Sequence, residues 1–224
     1  MTTDADLRVR RLPEKQVTDR AVLHALLDEA LVAHVAVVRD GLPLVLPFAC
    51  ARDGDALLLH GSTGAGLLRL AGRTPVAVAV THLDGLVFAR SLFESSMHYR
   101  SAVVLGEAEV LTGEAAAAAL VVLTEHLMPG RAAEVRANSR KELAATLVLR
   151  VPLDRCSVKV SDGPAEDPED GESRLVWAGV LPLSVQAGTP APSPDVPAGV
   201  PLPASVRRAA ARGAGGAVSP RSRR

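Results

Sequence analysis

The residues best suited to bind an anion form a glycine- and hydroxyl-rich segment, HGSTGAG, at residues 60–66. It follows an apolar run of strand length and precedes a short helical stretch. Glycines let a backbone approach a ligand closely, while amides and the hydroxyls of Ser62 and Thr63 can donate hydrogen bonds to phosphate oxygens. The segment lacks the lysine of a Walker loop and the G-x-G-x-x-G spacing, so alone it predicts either an anion site or a plain connector.

A second cluster combines arginine and serine around a polar break between two apolar runs. It consists of Arg90-Ser91 and the segment MHYRS at residues 97–101, which contains Tyr99, Arg100 and Ser101. Guanidinium and hydroxyl groups suit a phosphate or the carbonyl edge of a heteroaromatic ring. The alternative is a solvated rim of a hairpin.

Other kinds of site lack a matching pattern. The six histidines and two cysteines do not fall at metal-binding spacings, so no metal site is predicted. No Gly-x-Ser-x-Gly elbow is present, and no nucleophile with its base stands out, so the catalytic residues stay unknown. Basic residues before the C-terminal tail are offset by acids and have few aromatic neighbours, which argues against specific nucleic-acid binding.

The order of apolar runs predicts a mainly β fold with added helices. Residues 18–30 have helical spacing, with Thr18 or Asp19 as the N-cap. Six strand-length runs follow, and Asp-Gly pairs in three of the breaks predict hairpins between antiparallel neighbours. Only residues 65–72 could serve as a crossover helix, so a parallel βαβ sheet is disfavoured. The runs are 31–38, 42–50, 56–60, 76–81, 86–89 and 102–110, the Asp-Gly pairs start at Asp40, Asp53 and Asp84, and helices are expected at 114–127 and 131–145 before a strand at 146–151.

Composition divides the chain into one domain, residues 1–185, and a Pro/Ala/Gly/Arg-rich tail, residues 186–224, that we expect to be disordered. The tail carries six arginines against one aspartate, so the overall neutrality is a cancellation between the two parts. The first residues lack a secretory apolar region, and no run is long enough to cross a bilayer. We therefore expect a reduced cytoplasmic protein that does not bind membranes.

Taken together, several segments resemble the flavin-nucleotide-binding proteins related to pyridoxamine 5'-phosphate oxidase, in the branch of the nitroimidazole-resistance reductases. The resemblance runs from about Leu12 to Leu183. Its carriers are LLLHGSTGAGLLRL, THLDGLVFARSLFESSMHYRSAVVLGEAEVL, HLMPGR with KELAATLVLRVPLDRCSVKV, and VWAGVLPL. Their combination and order make the match specific.

The resemblance implies an antiparallel split β-barrel that forms a homodimer, with FMN in clefts at the interface and its phosphate on the strand-to-helix loop. Ser62 and Thr63 would contact the phosphate, and Trp177 would come from near the partner's cleft. Strand residues would border the flavin. The cofactor-binding residues predicted in this way are His60, Ser62, Thr63, Arg69, Arg90, Ser91, Tyr99, Arg100, Ser101 and Trp177.

Departures from the family pattern limit the function. Ala65-Gly66 stands where relatives commonly have Ser and then Arg or Lys, so we expect weaker phosphate binding, with Arg69 as the replacement cation. His98 replaces a common Asn. VWAGVLPL has no arginine, so true pyridoxamine phosphate oxidase activity is not expected. The prediction is an FMN-dependent oxidoreductase acting on a small electron acceptor; the alternative is a non-catalytic flavin, deazaflavin or haem binder for sensing, storage or regulation.

Overall fold

The computed structural model describes residues 7–165 and 175–211. A 3-10 turn, Pro13–Lys15, precedes the first strand. The helices of the described residues are α1 (Arg20–Glu29), α2 (Gly66–Ala71), α3 (Gly113–Leu127), α4 (Arg140–Ala144) and α5 (Ala204–Ala211). The strands are β1 (Gln16–Val17), β2 (Val32–Arg39), β3 (Leu42–Asp53), β4 (Ala56–Ser62), β5 (Pro75–Phe88), β6 (Ser96–Glu107), β7 (Glu109–Leu111), β8 (Thr146–Pro152), β9 (Cys156–Ser161) and β10 (Gly179–Pro182).

The strands form an antiparallel split β-barrel, which confirms the predicted fold class. Their order is β1-β9-β6-β5-β2-β3-β4-β8-β7, and β10 pairs with β5. β3 makes the corner of the barrel because it changes partner along its length. Its first part, from Leu42 to Ala49, pairs with β2, and its last part, from Cys50 to Asp53, pairs with β4.

Two of the three Asp-Gly pairs form the predicted hairpins. Asp40-Gly41 joins β2 to β3 with positive φ angles at both residues, 53° and 78°, as a tight primed turn requires. Gly54 turns β3 into β4 at a φ of 58°. Local turn chemistry therefore sets these two connections.

The third pair, Asp84-Gly85, does not make a hairpin, and this prediction was wrong. The chain continues through it as β5, with a bulge in the register against β6 between Leu83 and Gly85. Asp84 binds Arg100 on the neighbouring strand. A side chain at position 85 would meet the Leu181 carbonyl oxygen at 3.0 Å, so glycine here permits β10 to pack closely. Tertiary contacts thus override the local turn signal.

The helix predicted over residues 131–145 is shorter in the structure. It begins only at Arg140, where Ser139 and Glu142 form a capping box. Glu125 accepts hydrogen bonds from the Gly130 and Ala132 amides, which holds the preceding segment in turns.

β4 is buried on both of its faces, which fixes the strand that leads into the 60–66 loop. On one face Leu57 and Leu59 pack in the barrel core with α1 and α2. On the other face Leu58 packs in a second cluster with Val148 and α3. Burial of each leucine contributes about 1.5–3 kcal/mol. The loop therefore starts from a rigid support.

Part of the predicted tail is ordered as helix α5. Glu134 accepts hydrogen bonds from the Ser205 amide at 2.9 Å and from the Ser205 hydroxyl at the start of this helix. Arg208 donates to the Pro129 carbonyl oxygen at 2.9 Å. The structure differs here from the expected disorder because partners distant in sequence satisfy the end of the helix. Residues 212–224 lie outside the described part of the chain.

Across residues 7–165 and 175–211, no helix combines the length and apolar character needed to cross a membrane.

Candidate functional site

The 60–66 loop is a tight turn that uses most of its own amides. The Ser62 hydroxyl accepts from the Gly64 amide at 3.1 Å, and the Ser62 carbonyl accepts from the Ala65 amide at 2.8 Å. The Thr63 amide donates to Ala145 at 2.9 Å. The amides left for a ligand are the first ones of α2, beginning at Gly66, because they have no acceptor within the helix. Anion binding is thus concentrated at the end of the loop.

A cavity of about 410 Å³ opens beside this loop end, and we call it the basic cleft. It is lined by Arg39, Gly66, Arg69, Leu70 and Arg73. Within the described residues, none of the three arginines has a salt bridge to a carboxylate. Three arginines on one cavity make an anion a favourable occupant.

The fold brings Arg39 and Arg73, two cations that the sequence pattern does not identify, to the same cavity as Arg69. Arg69 was predicted, and Arg73 lies four residues further along, close enough to share its side of the segment. Arg39 ends β2 and reaches the cleft through tertiary packing. Only the helical spacing of Arg69 and Arg73 offered a local signal. The expectation of weaker phosphate binding, which rests on Ala65-Gly66, does not include the charges of Arg39 and Arg73.

His60 contributes an unusual buried polar atom next to the loop. Alternation along β4 places its side chain on the same face as Leu58 and Ser62. Its Nδ1 atom is buried and has no hydrogen-bond partner. Desolvation by burial lowers the pKa of His60, so the neutral imidazole is favoured at neutral pH. An unsatisfied buried nitrogen costs stability and is a common mark of a ligand site.

We predict that His60→Phe stabilises the ligand-free protein by about 1–3 kcal/mol, because it removes an unpaired buried nitrogen. Since the folded-state pKa of His60 lies below its unfolded value, the wild type loses stability as pH falls below about 6.5. The gain from the substitution should therefore be larger at about pH 5 than at about pH 7. Urea unfolding at the two pH values measures this; a destabilised variant at both would show that His60 packs as an ordinary core residue.

Arg100 is bound by carboxylates of its own chain. It donates two hydrogen bonds to Asp84, at 2.9 and 3.0 Å, and forms an ion pair with Glu29 at 2.8 Å. The hydrogen bonds to Asp84, with those to Glu29, raise the pKa of Arg100. This arrangement ties β5, β6 and the end of α1 together. A contact between Arg100 and a flavin stays a prediction.

If Arg100 acts through this network, Asp84→Asn should destabilise the fold by about 1–2 kcal/mol, because a half-buried guanidinium loses its bidentate partner while it keeps Glu29. Flavin affinity per folded molecule should stay within about threefold of the wild type. Thermal unfolding and flavin titration on the same preparation separate the two effects. If Asp84→Asn kept its stability but lost flavin binding, Arg100 and Asp84 would instead belong to the cofactor site.

The other predicted residues lie around the β5–β6 connection. Arg90 donates to the Val176 carbonyl oxygen at 2.9 Å, and the Ser91 hydroxyl accepts from the Glu94 amide at 3.1 Å. Trp177 is exposed and packs against Phe88, with ring centroids 5.9 Å apart. Tyr99 and Ser101 are half-buried on β6, opposite Ser161 and Lys159 of β9.

The structure does not bring the two predicted groups together within one chain. His60, Ser62 and Thr63 belong to β4 and its loop, whereas the second group belongs to β5, β6 and residues near β10. In the sheet, β2 and β3 lie between β4 and β5. The two groups therefore do not lie on neighbouring strands of the sheet. Among the described residues, no group of three or more His, Cys, Asp or Glu side chains could hold a metal ion.

A split β-barrel, with a strand-to-helix loop beside a cavity lined by arginines, is the arrangement that the comparisons with known proteins can be set against. The sequence model of the family described as "Pyridoxamine 5'-phosphate oxidase" matches residues 19–160. The chain belongs to this family of flavin-binding proteins. A search of curated proteins gave no match.

Two solved structures resemble the whole fold. The FAD and heme binding protein from Mycobacterium smegmatis is 49% identical, with a TM-score of 0.84 over 87% of this chain and 96% of its own. The flavocytochrome Anf3 from Azotobacter vinelandii is 33% identical, with a TM-score of 0.84 over 89% of this chain and 94% of its own. A putative 5-nitroimidazole antibiotic resistance protein from Bacteroides thetaiotaomicron, 22% identical with a TM-score of 0.55 over 65% of this chain and 86% of its own, shares the fold.

Proposed function

We propose that the chain is a flavin-dependent oxidoreductase that passes electrons to a small acceptor in the cytoplasm. The observation that carries this proposal is the basic cleft, in which Arg39, Arg69 and Arg73 surround Gly66 without a carboxylate partner among the described residues. The flavin would supply hydride and single-electron chemistry when bound.

The residues of the site fit a phosphate group. A Cβ added at Gly66 would meet no atom within 4 Å, so the backbone there is open to a ligand. The first α2 amides and the Arg69 guanidinium would hold phosphate oxygens, while the Thr63 hydroxyl could donate from the loop. Ser62 would act mainly by shaping the turn, since its hydroxyl accepts from Gly64. These residues bind and orient; none is required to transfer a proton.

The sequence predicts FMN, whereas one relative is described as binding a larger flavin, FAD. One relative is described as binding FAD and heme, and the other as a flavocytochrome. FMN and FAD share the isoalloxazine ring and the first phosphate, so the loop serves either one. The choice between them depends on what lies beyond the loop.

We also propose that two copies of the chain associate through the outer face of β2 and β3. This outer face carries exposed apolar side chains, including Val32, Val38 and Val45. Cross-strand pairing places Ala36 next to Val45 and Val38 next to Pro43, which makes the face continuous. A contiguous exposed apolar patch of this kind is typical of a protein interface. A second copy would also bring the Arg90 and Trp177 region toward the loop, as the homodimer prediction requires.

A second candidate function is haem binding, with or without turnover. Its support is His60, whose neutral imidazole has an unpaired buried nitrogen, together with the relatives' descriptions. Neutral imidazole is a common axial ligand of haem iron. In that case the protein would be a flavocytochrome rather than a simple flavoprotein.

The two functions are separated by reconstitution. Purified full-length chain is incubated with flavin or hemin, desalted, and mixed with NADH or NADPH without oxygen. If the chain is an oxidoreductase, NADH or NADPH should reduce, and so bleach, the bound flavin faster than free flavin under the same conditions. If bound flavin is reduced no faster than free flavin, the protein binds flavin without catalysing its reduction. If hemin gives a Soret band that is lost in His60→Ala, the haem site is supported.

A further inference from the structure

We propose that the C-terminal helix α5 acts as a strap that positions the 60–66 loop, with Glu134 as the positioning residue between them. The segment of residues 129–145 makes the connection, because one end of it holds α5 and the other end holds the loop. The consequence for flavin affinity rests on the proposed function, whereas the coupling itself belongs to the chain without a ligand.

Polar contacts dock the start of α5 on the first part of this segment. Glu134 accepts hydrogen bonds from the Ser205 amide at 2.9 Å and from the Ser205 hydroxyl. The hydrogen bonds from the Ser205 hydroxyl and amide lower the pKa of Glu134. Ser205 is only 1% exposed, so its polar groups depend on this carboxylate rather than on water. Loss of the Glu134 carboxylate should therefore release α5.

A second contact depends on a glycine in the same turn. Arg208 donates to the Pro129 carbonyl oxygen at 2.9 Å. Gly130 follows with a φ of 84°, and a Cβ added there would overlap the Arg208 guanidinium. Glu125, which holds this turn through the Gly130 amide, also attracts Arg208 by charge. The turn is therefore shaped to receive this part of α5.

The rest of the segment carries the restraint to the loop. Arg136 donates two hydrogen bonds to Glu142 of α4, at 2.6 and 2.8 Å. α4 ends beside Ala145, whose carbonyl oxygen accepts from the Thr63 amide of the loop at 2.9 Å. Every residue from 133 to 142 is exposed, so polar contacts rather than buried side chains hold the segment in place. Such a segment opens easily when one of its few anchors is lost.

Hydrogen exchange on the ligand-free full chain tests the coupling. In Glu134→Ala and Arg208→Ala, we expect the amides of the 60–66 loop to exchange about three- to tenfold faster than in the wild type, because their support opens more often. Exchange in β5 should stay unchanged, since β2 and β3 separate it from β4 in the sheet. Glu134→Gln keeps an acceptor oxygen and should restore most of the protection.

Arg207→Ala is the matched control for Arg208→Ala. Arg207 is an exposed arginine of the same helix, and its guanidinium donates to the Leu202 carbonyl oxygen rather than to the turn. The control loses the same charge, so its loop exchange should stay within about twofold of the wild type. The flavin dissociation constant, measured by fluorescence titration, should rise about fivefold in Glu134→Ala and stay unchanged in the control.

The outcomes separate this inference from the proposed function. Faster exchange in α5 with an unchanged 60–66 loop would overturn the inference, because α5 would then be independent of the loop. Equal acceleration in β5 would overturn it as well, because Glu134 would then only stabilise the whole fold. If the wild type bound no flavin, the proposed function would fail, and exchange in the ligand-free chain would still decide the inference.

Discussion

Replacing Arg69 with Glu is expected to weaken binding of both FMN and FAD about a hundredfold, with the fold unchanged. Arg69 lies on α2, beside the loop end where the flavin phosphate would bind, and its side chain is exposed. Loss of a charge-assisted hydrogen bond costs about 1.5–3 kcal/mol, and the new carboxylate adds repulsion against the phosphate. Fluorescence titration with both flavins measures the effect.

The matched control for this substitution is Arg11→Glu. It makes the same change of charge at an exposed arginine that does not line the cleft. We expect flavin affinity in the control to stay within about twofold of the wild type, because a distant surface charge is screened by salt. If Arg11→Glu weakened flavin binding as much as Arg69→Glu, Arg69 would act only through the net charge of the protein. The basic cleft would then not be the phosphate site.

The second large effect is expected at the outer face of β2 and β3. Val45→Glu should convert the proposed homodimer to a monomer and weaken self-association about a hundredfold or more, because a carboxylate would be buried at an apolar interface. Val45 is 56% exposed in the single chain, so the substitution should not disturb the barrel itself. Light scattering after size-exclusion chromatography reports the mass of the particle.

Val121→Glu provides the comparison, because Val121 is 48% exposed and lies on α3 rather than on β2 or β3. We expect it to remain dimeric. Flavin binding should also fall in Val45→Glu if the cofactor contacts both copies. A Val45→Glu protein that stayed dimeric would place the interface elsewhere.

The sequence predicts the fold well where the signal is local. The hairpins at Asp40-Gly41 and Asp53-Gly54 depend on positive φ angles that the turn residues themselves favour. α1 begins where its cap lies, since the Asp19 carboxylate accepts from the Ala21 amide at 2.9 Å. Apolar periodicity also reveals the strands that build the barrel. These features need no knowledge of distant contacts.

Failures occur where distant residues decide the outcome. Asp84-Gly85 has the same local signal as the true hairpins, yet Arg100 on β6 and the close approach of β10 keep it inside a strand. Helix α5 lies in a stretch whose composition indicates disorder, and Glu134 stabilises its start from about 70 residues away. Neither partner can be inferred from the residues next to the feature.

The residues of the candidate site also divide into those with a local sequence signal and those placed by distant contacts. The loop was identifiable from its glycines and hydroxyls, and Arg69 from its helical distance to the loop. Arg39 was not identifiable, because only the packing of α2 against the end of β2 brings it to the cleft. The orphan Nδ1 of His60 depends on burial in the folded chain, which sequence spacing does not reveal.

Native mass spectrometry of the chain after incubation with flavin tests both the dimer and the role of Arg69. We expect a wild-type particle of two chains carrying two flavins, and loss of both flavins in Arg69→Glu under the same conditions. Wild-type dimers without flavin, or an Arg69→Glu protein that keeps its flavin, would contradict the proposed flavin site.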